Sequence, residues 1–323
     1  MMEQRTLGKS GITASRLGLG TTTFGREITE EESFRILDYD FEHGIRLIDT
    51  AEAYGGGQAR DYRRNHLGVD DVREVSGEMH SSEKIVGRWM KSRGVRKDVV
   101  LLTKVTTNHT RDHVREALAA SLERLQTEFT DLYLYHSYDA RTPVEEAVAA
   151  MQEVLATPRV RAGGVSNYSA AQLEAALGVG RAFEVVESNY NLAVRDIETG
   201  LLPLCARESV GVITYSPLGA GFLTGKYSPD RGALPKGTRF DVIPGHCDIY
   251  FSESNFRLVE KLKALSDRVG VPVSHLATAW VLQNRQVDVV LVGARTQAHL
   301  DAALSAMALD FAPSWLDEIR SWI

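Results

Sequence analysis

The 323-residue chain carries 37 Lys and Arg against 43 Asp and Glu, a formal net charge of −6, with 43% hydrophobic and 25% charged residues. This balance excludes a disordered or fibrous chain, and its mild acidity argues against a nucleic-acid binder, whose binding face would be basic. At this length roughly three quarters of the unfolded surface can be buried, so the fold needs no disulfide or metal staple.

Cys205 and Cys247 are the only cysteines and lie far apart, which leaves no disulfide framework or thiolate metal site and suits a reducing cytosol. The start, MMEQRTLGKSG, has no apolar stretch, and no run approaches about 18 apolar residues; a cytoplasmic protein without a membrane span is expected. Length permits one domain or two. An α/β barrel takes ~250 residues, which leaves roughly 70 to be placed elsewhere.

Eight short apolar runs read as strands: Leu17–Thr21, Arg46–Asp49, Val99–Lys104, Asp131–His136, Arg161–Ser166, Glu184–Glu187, Gly211–Tyr215 and Val289–Val292. Their apolar residues are contiguous rather than alternating, as in a parallel sheet covered by helices. Helical patterns follow over Glu30–His43, Asp112–Leu125, Pro143–Leu155, Ala170–Leu177 and Ser254–Val269. Apolar residues there recur at three and four, as in Val114, Ala117, Leu118, Leu122 and Leu125. Eight such units predict a (β/α)8 TIM barrel, a single domain over residues 1–323. A doubly wound sheet would carry G-x-G-x-x-G after its first strand. Here LGLGTTTFG places the third glycine, Gly25, too late, and no acidic residue ends a strand at the expected distance. Two segments are too long for plain connections, the polar, charge-mixed 55–81 and the initially Pro- and Gly-rich 219–253. Both are expected as long loops on the active-site face.

Barrel enzymes place their chemistry at the carboxyl ends of the strands. There the second strand delivers Asp49, with Tyr54 five residues on, the third ends on Lys104 and the fourth on His136. Singly, each has an ordinary reading as a helix cap, a rim aromatic, a solvated strand end or a half-buried histidine. Together they permit protonation of a carbonyl oxygen coupled to hydride delivery by a cofactor. A phenol ionises near pH ~10. Lys104 beside it is expected to lower that value, Asp49 to keep the ammonium charged, and His136 to position the carbonyl.

From RTLGKSGITASRLGLGT onward the chain resembles the aldo-keto reductase family nearly end to end. RLIDTAEAYG resembles the Asp…Tyr motif, LLTKV the lysine strand, DLYLYHSYD the histidine segment, GVSNY the strand facing the nicotinamide carboxamide, TYSPLGAGFLTGKY the pyrophosphate loop and VGARTQAHL the adenosine end. The resemblance implies an N-terminal hairpin plugging the barrel, Asp49, Tyr54, Lys104 and His136 as the catalytic set, and NADPH as cofactor, with NADH possible. It places Gly20, Thr21, Asp49, Ser166, Asn167, Glu187 and Tyr215 around the nicotinamide half. Ser216, Leu218, Gly219, Gly221 and Lys226 fall at the pyrophosphate, and Gly293, Arg295 and His299 at the adenosine and its 2′-phosphate. No metal is implied, and the partner is a small carbonyl or sugar substrate, with no nucleic acid or membrane.

The chain departs from the pattern in three places. Glu187 stands where the family often has Gln, adding negative charge beside the nicotinamide. Ala302 and Ala303 replace an acidic-plus-Asn pair that reaches the adenine. Residues 55–81 form an insertion between the Tyr-Gly and Ser82-Glu83, at which the family's next helix begins. Its Arg60, Arg63, Arg64 and His66 could meet an anionic substrate, or be compensated by Asp70, Asp71 and Glu74. The expected activity is reduction of an aldehyde, ketone or keto-sugar. The alternatives are alcohol or sugar oxidation with NAD(P)+, a keto-sugar reductase of deoxysugar synthesis, and a non-catalytic NADPH-sensing module like the channel-associated β-subunits. The sequence gives no handle on oligomeric state.

Overall fold

Eight parallel strands close into one barrel in the computed structural model, which describes residues 2–68 and 73–322. A hairpin of β1 (Gln4–Thr6) and β2 (Thr13–Ser15) comes first. The barrel follows in chain order: β3 (Leu17–Gly20), β4 (Leu47–Asp49), β5 (Val100–Val105), β6 (Thr130–Tyr135), β7 (Val160–Ser166), β8 (Val185–Asn189), β9 (Gly211–Tyr215) and β10 (Val289–Gly293). β10 returns to β3 with Gly293 opposite Gly20, so no sheet edge is left open. Strand ends differ by a residue or two from those read off the sequence: Lys104 is followed by Val105, and His136 lies just past β6.

The hairpin closes the end of the barrel opposite the site. Leu7, Ile12 and Ala14 join inward residues such as Leu47, Leu132 and Ile213 in one buried cluster. At its turn Gly8 has φ +53°, and a Cβ there would lie 2.4 Å from the Gly211 nitrogen, so only glycine lets the plug seat on β9. Buried Arg16 tightens the same end, its guanidinium donating to the carbonyls of Val287, Leu282 and Asn284.

The outer ring contains the anticipated helices, the first over Glu30–Glu42 with a Thr29–Glu32 capping box. Further helices span Ser81–Arg93, Leu201–Glu208, Val273–Gln283, Gln297–Met307 and Pro313–Arg320. None of the described helices is long and apolar enough to cross a membrane.

Neither excursion is the plain loop expected. In the first, a helix over Gly56–Tyr62 runs into a π-helical turn over Arg63–Leu67, ended by Gly68 in the left-handed region. Three successive glycines misled the sequence reading, because they serve close approach rather than flexibility. A Cβ on Gly56 would fall 1.8 Å from the Ser76 oxygen. Asp70 and Asp71 lie outside the described residues. The second excursion is a strap of short helical turns pinned by aromatic packing, with Phe240 edge-on to Tyr227 and Phe251, and Phe222 edge-on to Phe256.

Candidate active site

Because the strands are parallel and in register, their ends bring distant residues to one rim. Asp49 ends β4 opposite Leu102 of β5, and Glu187 of β8 pairs with Ser166 of β7. Between them Lys104 is fully buried. Its ammonium donates to Asp49 Oδ1 and, at 3.2 Å, to the Thr50 carbonyl, and it lies 3.4 Å from Glu187 Oε2, an ion pair without a formed hydrogen bond. Burial disfavours that charge, but Asp49 and Glu187 overcome it and raise the lysine pKa, so Asp49 keeps the ammonium charged as anticipated. Both carboxyls are in turn pushed up by burial, Glu187 also by Asp49, with Lys104 opposing. Burial and Asp49 thus draw Glu187 towards its neutral form, and Lys104 faces whatever charge it keeps, so the bare negative charge expected there is not what the site presents.

Tyr54 sits in the turn after β4, its ring centroid 5.1 Å from Lys104 Nζ and 5.4 Å from the His136 ring, which meets it edge-on at 76°. Burial raises the phenol pKa well above its ordinary value, and the opposing pull of Lys104 is too small to reverse this. The expected lowering is thus corrected, since desolvation outweighs the neighbouring cation. For His136, burial and then Lys104 lower the pKa to about 3, leaving a neutral imidazole whose buried Nδ1 has no hydrogen-bond partner among the described residues. At neutral pH the rim thus offers a protonated phenol and a neutral imidazole side by side.

From this rim a cavity of about 570 Å³ runs towards the strap. Gly20, Asp49, Asn167, Glu187, Tyr215 and Ser216 line one end, and Leu218, Gly221, Lys226, Gly293, Arg295 and His299 the other. Asn167, with φ 60°, donates from Nδ2 to the His136 carbonyl at 2.9 Å and accepts from the Tyr215 hydroxyl at 2.7 Å, which fixes Tyr215 at the cavity mouth.

Four residues expected at the site stand behind its wall. Thr21 is buried, donating to the Asp49 carbonyl at 2.8 Å. Ser166 is buried and accepts from Asn167 Nδ2 at 3.1 Å. Gly219 is covered by the Tyr250 ring. Lys104 reaches the site only through Asp49, Glu187 and Tyr54. Ala302 and Ala303 do line the far end, where they offer no side-chain acceptor.

The sequence reading missed the cavity residues Arg26, Glu27, Arg239 and His246. Glu27 is the hub: Arg26 Nη2 lies 2.6 Å from its carboxylate, Arg239 Nη1 3.3 Å and Arg295 Nη1 3.5 Å. Arg26 and Glu27 follow the first strand on the active-site face, a position that could have flagged them. Arg239 and His246 lie in the strap, where no periodicity marks an inward residue. Lys226 nearby has its pKa lowered by burial and by Arg295.

Residues 16–323 match the model of the Aldo/keto reductase family. The chain belongs to that family. It is also 31% identical over 342 aligned positions to an Arabidopsis thaliana protein named probable voltage-gated potassium channel subunit beta, with 100% of this chain and 97% of that one covered. The eight-stranded barrel and its hairpin accord with this membership, as the resemblance implies.

The donor set also fits the cofactor that aldo/keto reductases generally use. The cavity joins the Tyr54 rim to a cluster of Lys226, Arg239 and Arg295, suited to phosphates. His246 Nδ1, on the same wall, is buried without a hydrogen-bond partner among the described residues.

Proposed function

We propose that this aldo/keto reductase family member is an NADPH-dependent carbonyl reductase acting on an aldehyde, ketone or keto-sugar. The carrying observation is the juxtaposition of a protonated phenol, Tyr54, with a neutral imidazole, His136, over the buried Lys104–Asp49–Glu187 cluster at the mouth of a cation-ended cavity. Lys226, Arg239 and Arg295 would hold the phosphates, Asn167 and Glu187 the carboxamide, and Tyr215 would face the ring. Bound there, the reduced nicotinamide supplies a hydride for the carbonyl carbon.

Tyr54 gives its proton to the carbonyl oxygen as the negative charge develops there, so the carbonyl is reduced to an alcohol while the cofactor is oxidised. Lys104 stabilises the resulting phenolate. Asp49 and Glu187 keep that ammonium charged, which otherwise would lose its proton on burial. His136, neutral, orients the carbonyl by hydrogen bonding without competing as an acid. The barrel floor beneath excludes water from the proton path.

The test is a screen of carbonyl compounds for NADPH oxidation by wild type and Tyr54→Phe. Loss of about a hundred- to ten-thousandfold in kcat with unchanged NADPH affinity is expected; equal turnover would remove Tyr54 from its role. A second reading, a non-catalytic NADPH-sensing module, is favoured by the name of the Arabidopsis relative, a probable channel subunit beta. It predicts NADPH binding without turnover of any carbonyl on a broad panel.

A further inference from the structure

The inserted helix and the strap flank a second, half-open cavity of about 370 Å³ beside Tyr54. Ala59, Tyr62 and Leu67 come from the insertion and Val242 and Ile243 from the strap, while Arg26 lies at the base. Tyr54, Arg26 and Ile243 line both cavities, so the two adjoin at the phenol. A substrate carbonyl at Tyr54 would therefore project its remaining body into this side pocket.

Gln58 and the two arginines on its wall are already committed, so the hydroxyls of Thr22, Tyr54 and Tyr62 are the polar groups it offers. Gln58 donates to the Glu52 carbonyl at 3.1 Å, lies 2.7 Å from His80 Nδ1 and accepts from the His80 N–H at 2.8 Å. The two cations on this wall both face carboxylates, Arg26 that of Glu27 and Arg63 that of Glu74, the latter pair almost fully buried. His66, counted with the basic cluster in the sequence, stacks on Tyr62 at 4.6 Å and 17°. The insertion therefore commits Arg63 and Arg73 to carboxylates, Glu74 and Asp241, rather than holding them open for an anion. What remains facing the pocket is mainly hydrocarbon and aromatic surface.

A polyhydroxylated substrate would bury more hydroxyls there than Thr22, Tyr54 and Tyr62 can partner, at a cost for each unpaired one, whereas an apolar body gains by leaving water. We propose that this pocket is the specificity site of the protein and selects carbonyl compounds carried on an uncharged aromatic or branched aliphatic body over polyhydroxylated aldehydes and keto-sugars. The inference rests on the reductase reading for its chemistry, though not for its binding.

The experiment compares kcat/KM for 2-naphthaldehyde and for glyceraldehyde in wild type, Ala59→Phe, which fills the pocket, and Leu67→Asp, which places a charge at its partly exposed rim. In parallel, calorimetry follows binding of the unreducible 2-naphthamide to the NADPH-loaded protein. Wild type is expected to favour the naphthaldehyde at least tenfold. Each variant should lower that ratio at least tenfold and weaken the amide similarly. A wild-type preference for glyceraldehyde, or a ratio unmoved in Ala59→Phe, overturns the proposal. If the amide binds wild type and not Ala59→Phe while no carbonyl turns over, the pocket assignment stands and the reductase reading falls. If the amide does not bind wild type, the pocket assignment falls whatever the turnover.

Discussion

At the barrel mouth, Lys104, Asp49 and Glu187 are placed by strands whose register fixes their neighbours, whereas the two excursions above them owe their shape to contacts that no ladder dictates. The insertion is held by single ties, such as Ser76 N–H to the Gly25 carbonyl at 3.1 Å and Arg73 Nη1 to the Asp241 carbonyl at 3.3 Å across to the strap. The rim is one buried, charge-coupled cluster. The excursions are held at separate points, some buried, as Arg63 against Glu74 and Phe240 among its aromatic neighbours, and others exposed, as Arg73 with Asp241. The difference separates a centre whose members depend on one another from a cover held at several independent points. Removing one member of the first should cost far more than removing one tie of the second.

The sharpest way to break this contrast is Lys104→Met. It leaves two buried carboxyls without their cation and should destabilise the fold by about 3–5 kcal/mol, read from urea denaturation. A loss below about 1 kcal/mol would mean the rim is no more cooperative than the cover.

Acid probes the rim next. His109, in the loop after β5, stacks on Tyr135 at 3.8 Å and 6°, and burial lowers its pKa to about 4, its Nε2 being without a hydrogen-bond partner among the described residues. The folded state holds this imidazole neutral while the unfolded chain protonates it near pH ~6.5. Its contribution is therefore complete above that pH and is lost progressively as pH falls towards about 4, a loss of order 3 kcal/mol. His136, lowered to about 3, acts in the same direction. Denaturation midpoints should fall across this window, and less steeply in His109→Phe.

Smaller again is Arg295→Ala at the far end of the cavity. It should weaken NADPH by roughly tenfold, about 1.4 kcal/mol, more than it weakens NADH, measured by fluorescence titration. Equal losses would show that Arg295 ties the strap, through Gly237, to Glu27 beyond the first strand, rather than serving the 2′-phosphate. The smallest effect belongs to Arg73→Ala, which removes one tie between insertion and strap. Global stability should change by less than about 1 kcal/mol, while limited proteolysis within 55–81 accelerates.

Much of this was legible in the chain. Contiguous apolar strands and three-and-four helical spacing implied the barrel, because burial on both sheet faces and on one helix face leaves periodic traces. Asp49, Tyr54, Lys104 and His136 were legible because strand ends in a parallel barrel share one rim. The insertion's helix was not, since Gly55, Gly56 and Gly57 read as a loop until Ser76 and Gly25 are packed against them. Glu27 as a three-arginine hub was equally hidden, because Arg26, Arg239 and Arg295 are remote in sequence and meet only when the strap crosses the rim.

The sequence by itself thus determined the architecture and which four side chains share the rim, because both follow from local periodicity and strand order. Only the tertiary structure decided their charge states and what the insertion lines. Burial around Tyr54 outweighs the pull of Lys104, and pairing with Glu74 takes Arg63 out of the basic segment, leaving a mainly apolar wall. Desolvation and pairing are properties of neighbours in space, and no spacing along the chain encodes their balance.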